Sequence, residues 1–342
     1  MKKILVLIAL MMLAISVKGQ DIQFSQFYAA PVFLNPAFAG SSEMTRFGVN
    51  YRNQWPGMSH TLNAYSAYLD HYAFNINSGF GIIANGVTES MSNLRTSEIG
   101  AAYSYRLQLG FNSFLRFGGQ ASFVSRDADF SNVLFGSSID PLTGESSLPS
   151  GENLGLDVNH RYVDYHFGML YTNEKAWLGV SAHHIGQPNI SFIDDQISKW
   201  PIKYSVHGGV SFDLAGGMGR NYMNRNENQR NLVIAFNYKH QDPFNQLDLG
   251  TQLVLQPLTL GLWYRGLPTP GLKRPNNESL IGVVGISLGN GIDIGYSYDY
   301  TLSNLGIANT GGAHEVSMRF SFLAGSSQNA AGRKSSMPCF RY

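Results

Sequence analysis

The chain has 342 residues, with 24 Lys+Arg against 23 Asp+Glu, 14% charged residues, 13% aromatics, 37 glycines and one cysteine. Removing residues 1–19 takes away Lys2, Lys3 and Lys18 and no acid, leaving 21 basic against 23 acidic residues, and a net charge near −2 gives no electrostatic reason to bind nucleic acid. The lone Cys339 cannot close an internal disulfide, and the charge content lies well under the roughly 25% of soluble domains, which speaks against a disulfide scaffold and an ordinary soluble surface.

Lys2 and Lys3 precede an apolar run from Ile4 to Val17. A membrane-spanning helix needs about twenty apolar residues, so this shorter run predicts a signal peptide over 1–19. Residues 20–44 are polar-aromatic and carry Pro31 and Pro36. They are too irregular for a membrane strand and too aromatic for a disordered leader, and are expected to be a periplasmic or plug segment.

From Thr45 to Phe322, fourteen stretches alternate apolar with polar or small residues. They are predicted as strands over 45–51, 61–70, 78–85, 94–109, 113–125, 162–171, 176–184, 203–213, 231–241, 247–255, 258–265, 280–288, 291–300 and 313–322. Period-2 alternation sends successive side chains to opposite faces of a strand. In the last stretch Val316, Met318, Phe320 and Phe322 share one face, and Glu315, Ser317, Arg319 and Ser321 the other. In the thirteenth, Ile292, Ile294, Tyr296, Tyr298 and Tyr300 oppose Asp293, Gly295, Ser297 and Asp299.

A soluble sandwich also alternates, and the connections argue against it. Bacterial membrane barrels have short periplasmic turns and longer surface loops. The even-to-odd connections are mostly short: 71–77, 110–112, 172–175, 256–257 and 289–290. The odd-to-even ones include 126–161, 185–202, 266–279 and 301–312. The long connection 214–230 breaks the rule. The expected fold is therefore all-β, a transmembrane antiparallel barrel of about fourteen strands over 45–322, with a periplasmic tail over 323–342. Arg106, Arg116, Arg265, Arg319, Asp248, Asp293, Asp299 and Glu315 fall on the faces turned away from lipid. Their mixed signs suggest internal ion pairing, and fourteen strands lie between barrels filled by side chains and barrels with an open channel.

Chemistry is poorly supported. His183 and His184 are adjacent strand positions, so their side chains are expected on opposite faces, unable to chelate one metal together. Gly285-Ile286-Ser287-Leu288-Gly289 fits G-x-S-x-G, yet a turn and another strand follow Ser287 where a nucleophile elbow needs a helix. Asp140-Pro141-Leu142-Thr143-Gly144-Glu145 lacks the alternating oxygen ligands of an EF-hand loop. No enzyme, cofactor or metal site is expected. Asn35-Pro36 and Trp55-Pro56-Gly57 are turn signals.

Phe24–Gly40 (FSQFYAAPVFLNPAFAG), Tyr51-Arg52-Asn53-Gln54-Trp55-Pro56, and Ser303-Asn304-Leu305-Gly306 followed by Gly312-Ala313-His314-Glu315 together resemble the PorP/SprF family of outer-membrane proteins. The ending Pro338-Cys339-Phe340 resembles that family's Cys/Pro/aromatic endings. The resemblance implies a non-enzymatic barrel of the type IX secretion and gliding machinery of Bacteroidetes-type bacteria. Such a barrel supports secretion or surface attachment of large exported proteins that carry a type IX C-terminal domain, by binding them. Its partners would be that cargo, other machinery components in the periplasm, and outer-membrane lipid. Arg52, Asn53 and Trp55 read first as scaffold residues and second as candidate partner-binding residues, and Arg333, Lys334, Phe340 and Tyr342 in the tail are further candidates for partner binding. A small-solute outer-membrane pore is the alternative.

Overall fold

The computed structural model describes residues 21–90, 93–128, 159–192, 197–214, 230–267, 276–288 and 291–322. Fourteen strands follow one another in chain order: β1 (Thr45–Gln54), β2 (Leu62–Ala73), β3 (Ser78–Glu89), β4 (Leu94–Gly110), β5 (Ser113–Asp127), β6 (Asn159–Thr172), β7 (Ala176–His183), β8 (Lys203–Asp213), β9 (Arg230–Gln241), β10 (Phe244–Leu255), β11 (Leu258–Leu267), β12 (Asn276–Ser287), β13 (Ile292–Thr301) and β14 (Ala313–Phe322). Each pairs antiparallel with its sequence neighbours, and β14 pairs with β1 to close the barrel. Closure gives every ladder a partner, which a lipid environment requires because it offers no water to an open edge. Several strands run a few residues beyond the expected ends. β12, for example, begins at Asn276 because polar rim residues continue the ladder with β11 past the point where apolar alternation stops.

The alternation sorts the faces. On β14, Val316, Met318, Phe320 and Phe322 are 39–47% exposed, while Glu315 and Ser317 are buried. Phe47 and Tyr51 of β1 likewise point out, and Arg46, Asn50 and Arg52 point in. Register is fixed by charge as well as by pattern. Arg46 lies opposite Asp70, Arg52 opposite Glu315, Asp248 opposite Arg265, and Asp293 opposite Arg319. A one-residue slip would turn these groups toward lipid, at about 2–4 kcal/mol per basic residue at mid-depth. Among the described residues no helix is long and apolar enough to cross a membrane.

One end of the barrel carries the connections 55–61, 90–93, 128–158, 184–202, 268–275 and 302–312, the last including α2 (Ile307–Thr310). We call this the loop end. The other, the turn end, carries 74–77, 111–112, 173–175, 256–257 and 288–291. The pairing is imperfect in both directions: β9 and β10 join at the loop end through residues 242–243 only, and the long 214–229 connection lies at the turn end.

Residues 21–44 fill the lumen and form the core. This segment, hereafter the strap, contains α1 (Pro31–Leu34) and a single 3₁₀ turn, Pro36–Phe38. Both turns open on a proline, whose fixed φ and missing N–H suit a first helical position. Asn35 between them is extended, and its Oδ1 accepts from Ala37 N at 2.8 Å. Phe27, Tyr28, Leu34 and Phe38 of the strap are buried against Trp177, Trp263, Ile281 and Val283 of the inner wall. Phe27 meets Trp263 edge-on at 5.1 Å, and Phe38 meets Trp177 at 5.8 Å. Wall glycines admit the strap. A Cβ on Gly118 would lie 2.2 Å from Ala37 N, and one on Gly168 would lie 1.9 Å from Asn35 Oδ1.

Candidate functional site

The strap traverses the lumen from end to end. At the turn end, Arg46 donates to Asp70 Oδ1 at 2.9 Å, to Phe38 O at 3.0 Å and to Ser41 Oγ at 3.2 Å, and Gly40 N donates to Asp70 Oδ2 at 2.6 Å. Glu43 pairs with Arg106 there. Midway, the Asn35 amide donates to Met169 O at 3.0 Å and Val180 O at 3.1 Å. Nearer the loop end, Ser25 N and Gln26 N donate to the Glu315 carboxylate at 2.6 and 3.0 Å. Arg52 donates to Ser25 Oγ at 2.6 Å and Asp299 Oδ2 at 2.8 Å and lies 3.4 Å from Glu315 Oε2. Arg265 extends the network to Asp299 at 2.9 Å and Asp248 at 2.7 Å, and Lys239 reaches Asp248 at 3.1 Å. These interior charges neutralise one another and hold the strap, so they do not form a ring of one sign for ion selection.

At the loop end the strap forms the floor of a cavity of about 380 Å³. Ile22, Phe33, Val87, Leu94 and Val124 are among its apolar lining, and its titratable groups include Asp21, Glu98, Arg126, Asp164, His166, His183, His184 and Lys203. Asp21 caps the strap here. It accepts from Trp200 Nε1 at 2.9 Å and Gln241 Nε2 at 3.0 Å, and pairs with Lys203 Nζ at 2.6 Å and His184 Nε2 at 2.8 Å. Burial opposes ionisation of Asp21, but His184 and Lys203 outweigh it and hold the carboxyl well below its usual range. Burial likewise works against a charged His184, yet Asp21 and Asp164 together push its imidazole up to about 9. Trp200 stacks on the His184 ring at 4.6 Å.

The expectation that His183 and His184 face opposite sides is overturned. β7 ends at His183, and His184 takes a left-handed φ of 58°, which breaks the alternation and turns both imidazoles into the lumen. Both rings lie beside His166, with centroids 4.9 Å and 5.5 Å away.

The candidate partner residues fall in three places. Arg52 is 2% exposed inside the lumen and braces the strap. Asn53 and Trp55 sit at the loop-end rim, where Asn53 donates to Asn63 at 2.6 Å and Trp55 N donates to Gly312 O at 2.9 Å, tying the β1–β2 and β13–β14 connections together. Arg333, Lys334, Phe340 and Tyr342 lie outside the described residues, as do residues 1–20 and the 140–145 loop. Glu315 enters the lumen, but its neighbour His314 faces outward between Tyr296 and Tyr298. Ser287 ends β12 and donates to Asp293 at 2.7 Å, in a strand with no elbow.

Sequence reasoning missed Asp21, Ser25, Gln26, Asn35, Asp164 and His166 as working groups. For Asp164 and His166 the signal was present: two residues apart on β6, they share its inward face.

A closed fourteen-strand barrel with an apolar outer wall and a polar lumen is an outer-membrane barrel. The chain belongs to the PorP/SprF family of type IX secretion system membrane proteins, whose sequence pattern matches residues 16–320. Among solved structures, the toluene transporter TodX of P. putida is similar at 12% identity and TM-score 0.52, over 87% of this chain and 95% of that one. The Ralstonia pickettii toluene transporter TbuX gives 12% and 0.46 over 86% and 94%, and Acinetobacter baumannii Omp33 gives 9% and 0.42 over 82% and 100%. At these identities the TodX likeness concerns the fold alone. No curated protein sequence matches the chain.

Proposed function

We propose that this barrel works by binding and not by conducting: it supports secretion or surface attachment of large exported proteins that carry a type IX C-terminal domain. The observation that carries the reading is the strap, which is bonded to the wall at both ends and in the middle and buries its aromatics across the lumen. A solute pore gains nothing from a lumen filled in this way. A docking platform gains a rigid rim from which the long loop-end connections, with Asn53 and Trp55 at their base, reach the cargo. Arg52 serves this indirectly, by holding the strap. The 323–342 tail, with Arg333, Lys334, Phe340 and Tyr342, and the 214–229 connection would face periplasmic components of the machinery.

Cross-linking in intact cells followed by purification of the barrel tests this. A large exported protein with a type IX C-terminal domain should co-purify, and deleting 325–342 should leave a folded barrel at normal level while lowering secretion or surface retention of that cargo. A barrel that purifies without cargo and conducts steadily in planar bilayers would reject the reading in favour of a solute pore. Normal cargo display after the deletion would remove the tail from it.

A further inference from the structure

In the histidine cluster beside the loop-end cavity, a buried ring nitrogen faces two carboxylates. His183 Nε2 lies 3.2 Å from Leu34 O, a pure acceptor, so this nitrogen carries a proton and donates. Neutral His183 then has its lone pair on Nδ1, which lies 3.2 Å from His166 Nδ1. His166 Nδ1 therefore donates to it, and His166 Nε2 then carries a lone pair in the neutral ring or a second proton in the imidazolium. That buried nitrogen has no hydrogen-bond partner among the described residues. It points instead at two carboxylates, Glu98 Oε1 at 3.4 Å and Asp164 Oδ2 at 3.8 Å. The opposite tautomer would rest on the long His184 N to His166 Nδ1 contact of 3.4 Å, and would leave two lone pairs facing each other between His166 and His183. Two anionic oxygens at these separations call for positive charge at His166 Nε2, supplied either by a second ring proton or by a metal ion shared with the neighbouring donors.

We propose that Asp164, His166 and His184, with Glu98 beside them, form a binding site for a divalent transition metal, zinc foremost, that fastens the loop-end tip of the strap to the wall. Asp164, His166 and His184 each offer a donor atom within 4.8 Å of the others, and all three are buried. Zinc bonds of about 2.0–2.1 Å in a tetrahedron place donors roughly 3.3–3.4 Å apart, close to the spacing seen around His166 Nε2. The surroundings match what metal sites use to orient their ligands. His184 turns Nδ1 to Asp164 and Nε2 to Asp21, so that a metal on Nδ1 leaves Nε2–H donating to a carboxylate. Asn85 and Gln120 donate to the two Glu98 oxygens at 2.9 and 3.1 Å. Lys203 is committed to Asp21, so the positive charge facing Glu98 and Asp164 comes from His166 and His184 or from a metal among them. The metal takes the place of the Nδ1 proton of His184. Nitrogen and carboxylate donors suit zinc, with copper(II) and nickel(II) as the competitors to be tested beside it. Asp21 belongs to the strap, so metal binding and strap seating are linked through His184.

The test uses the full-length barrel in detergent, without a polyhistidine tag, stripped with EDTA and titrated with zinc chloride. One equivalent should bind per chain, and Cys339→Ser should bind it equally. His166→Ala should weaken binding at least about a hundredfold, and Asp21→Asn about ten- to a hundredfold at unchanged stoichiometry, as expected for an outer partner. By linkage, zinc should slow amide exchange over residues 22–26 by the factor that Asp21→Asn costs in affinity. Cobalt(II) gives a readout that needs no variant: intense visible bands of a four-coordinate ion support the site, and the weak spectrum of an aquo ion overturns it. Absence of tight zinc binding by the wild type, or full binding by a folded His166→Ala barrel, also overturns it.

Discussion

The seat of Asn35 offers the sharpest test of how the strap is held. Asn35 donates two hydrogen bonds to wall carbonyls of β6 and β7 and accepts one from Ala37 N, all inside the lumen. At about 1 kcal/mol each, Asn35→Ala should weaken strap seating by about 3 kcal/mol, which is roughly a hundredfold in a local opening equilibrium. Gly168→Ala attacks the same seat from the wall. Its Cβ would lie 1.9 Å from Asn35 Oδ1 and 2.7 Å from Cγ, so the amide must leave and the same three bonds are lost. The double variant should therefore cost about as much as either single one, near 3 kcal/mol, and not their sum of about 6. Gly119→Ala is the control, because a Cβ there meets nothing within 4 Å. Hydrogen exchange read by mass spectrometry over 38–44 measures the effect at Ala39, Gly40 and Ser41, whose amides bond to Pro36 O, Asp70 and Phe38 O. Unchanged exchange in Asn35→Ala, or additive losses in the double variant, would refute the strap geometry.

Arg52→Ala leaves Asp299 and Glu315 buried beside each other without their shared cation and should destabilise the barrel by about 3–5 kcal/mol, seen in urea unfolding, whereas Asn53→Ala at the rim should cost about 1 kcal/mol. Met318→Arg places a charge on the outer face of β14 and should cost about 2–4 kcal/mol in lipid vesicles; a neutral result would mean that this face does not meet lipid. The folded barrel should migrate differently in SDS gels before and after boiling, and identical mobility together with recovery in a soluble fraction would contradict a membrane barrel. Protease added to intact cells should cut within 128–158 or 184–202, while a tag at 173–175 stays hidden until the outer membrane is opened. Surface labelling of that tag would invert the sidedness.

The strands were legible because a lipid-facing wall imposes its rule one residue at a time. Every second side chain must be apolar, and Val316, Met318, Phe320 and Phe322 state this without any partner. The inward assignment of Arg265, Asp248 and Asp299 followed from the same rule, since a charge on the other face carries a solvation cost. What the alternation could not tell was which interior groups meet. Arg52 reads from sequence as a scaffold residue or a contact for another protein, and its hydrogen-bond partners inside the barrel are Ser25, Asp299 and Glu315, up to 263 residues away in sequence. The strap has no periodicity, so its aromatics and Asn35 acquire meaning only when the closed wall presents Trp177, Trp263 and the gaps over Gly118 and Gly168. The histidines failed for a local reason. A period-2 reading of His183-His184 assumes that the strand continues, and one left-handed residue at position 184 ends it. Sequence alone therefore determined the barrel and its faces, because lipid acts on each residue separately. The tertiary structure decided the strap, the ion-pair network and the histidine cluster, because those depend on which distant residues closure brings together.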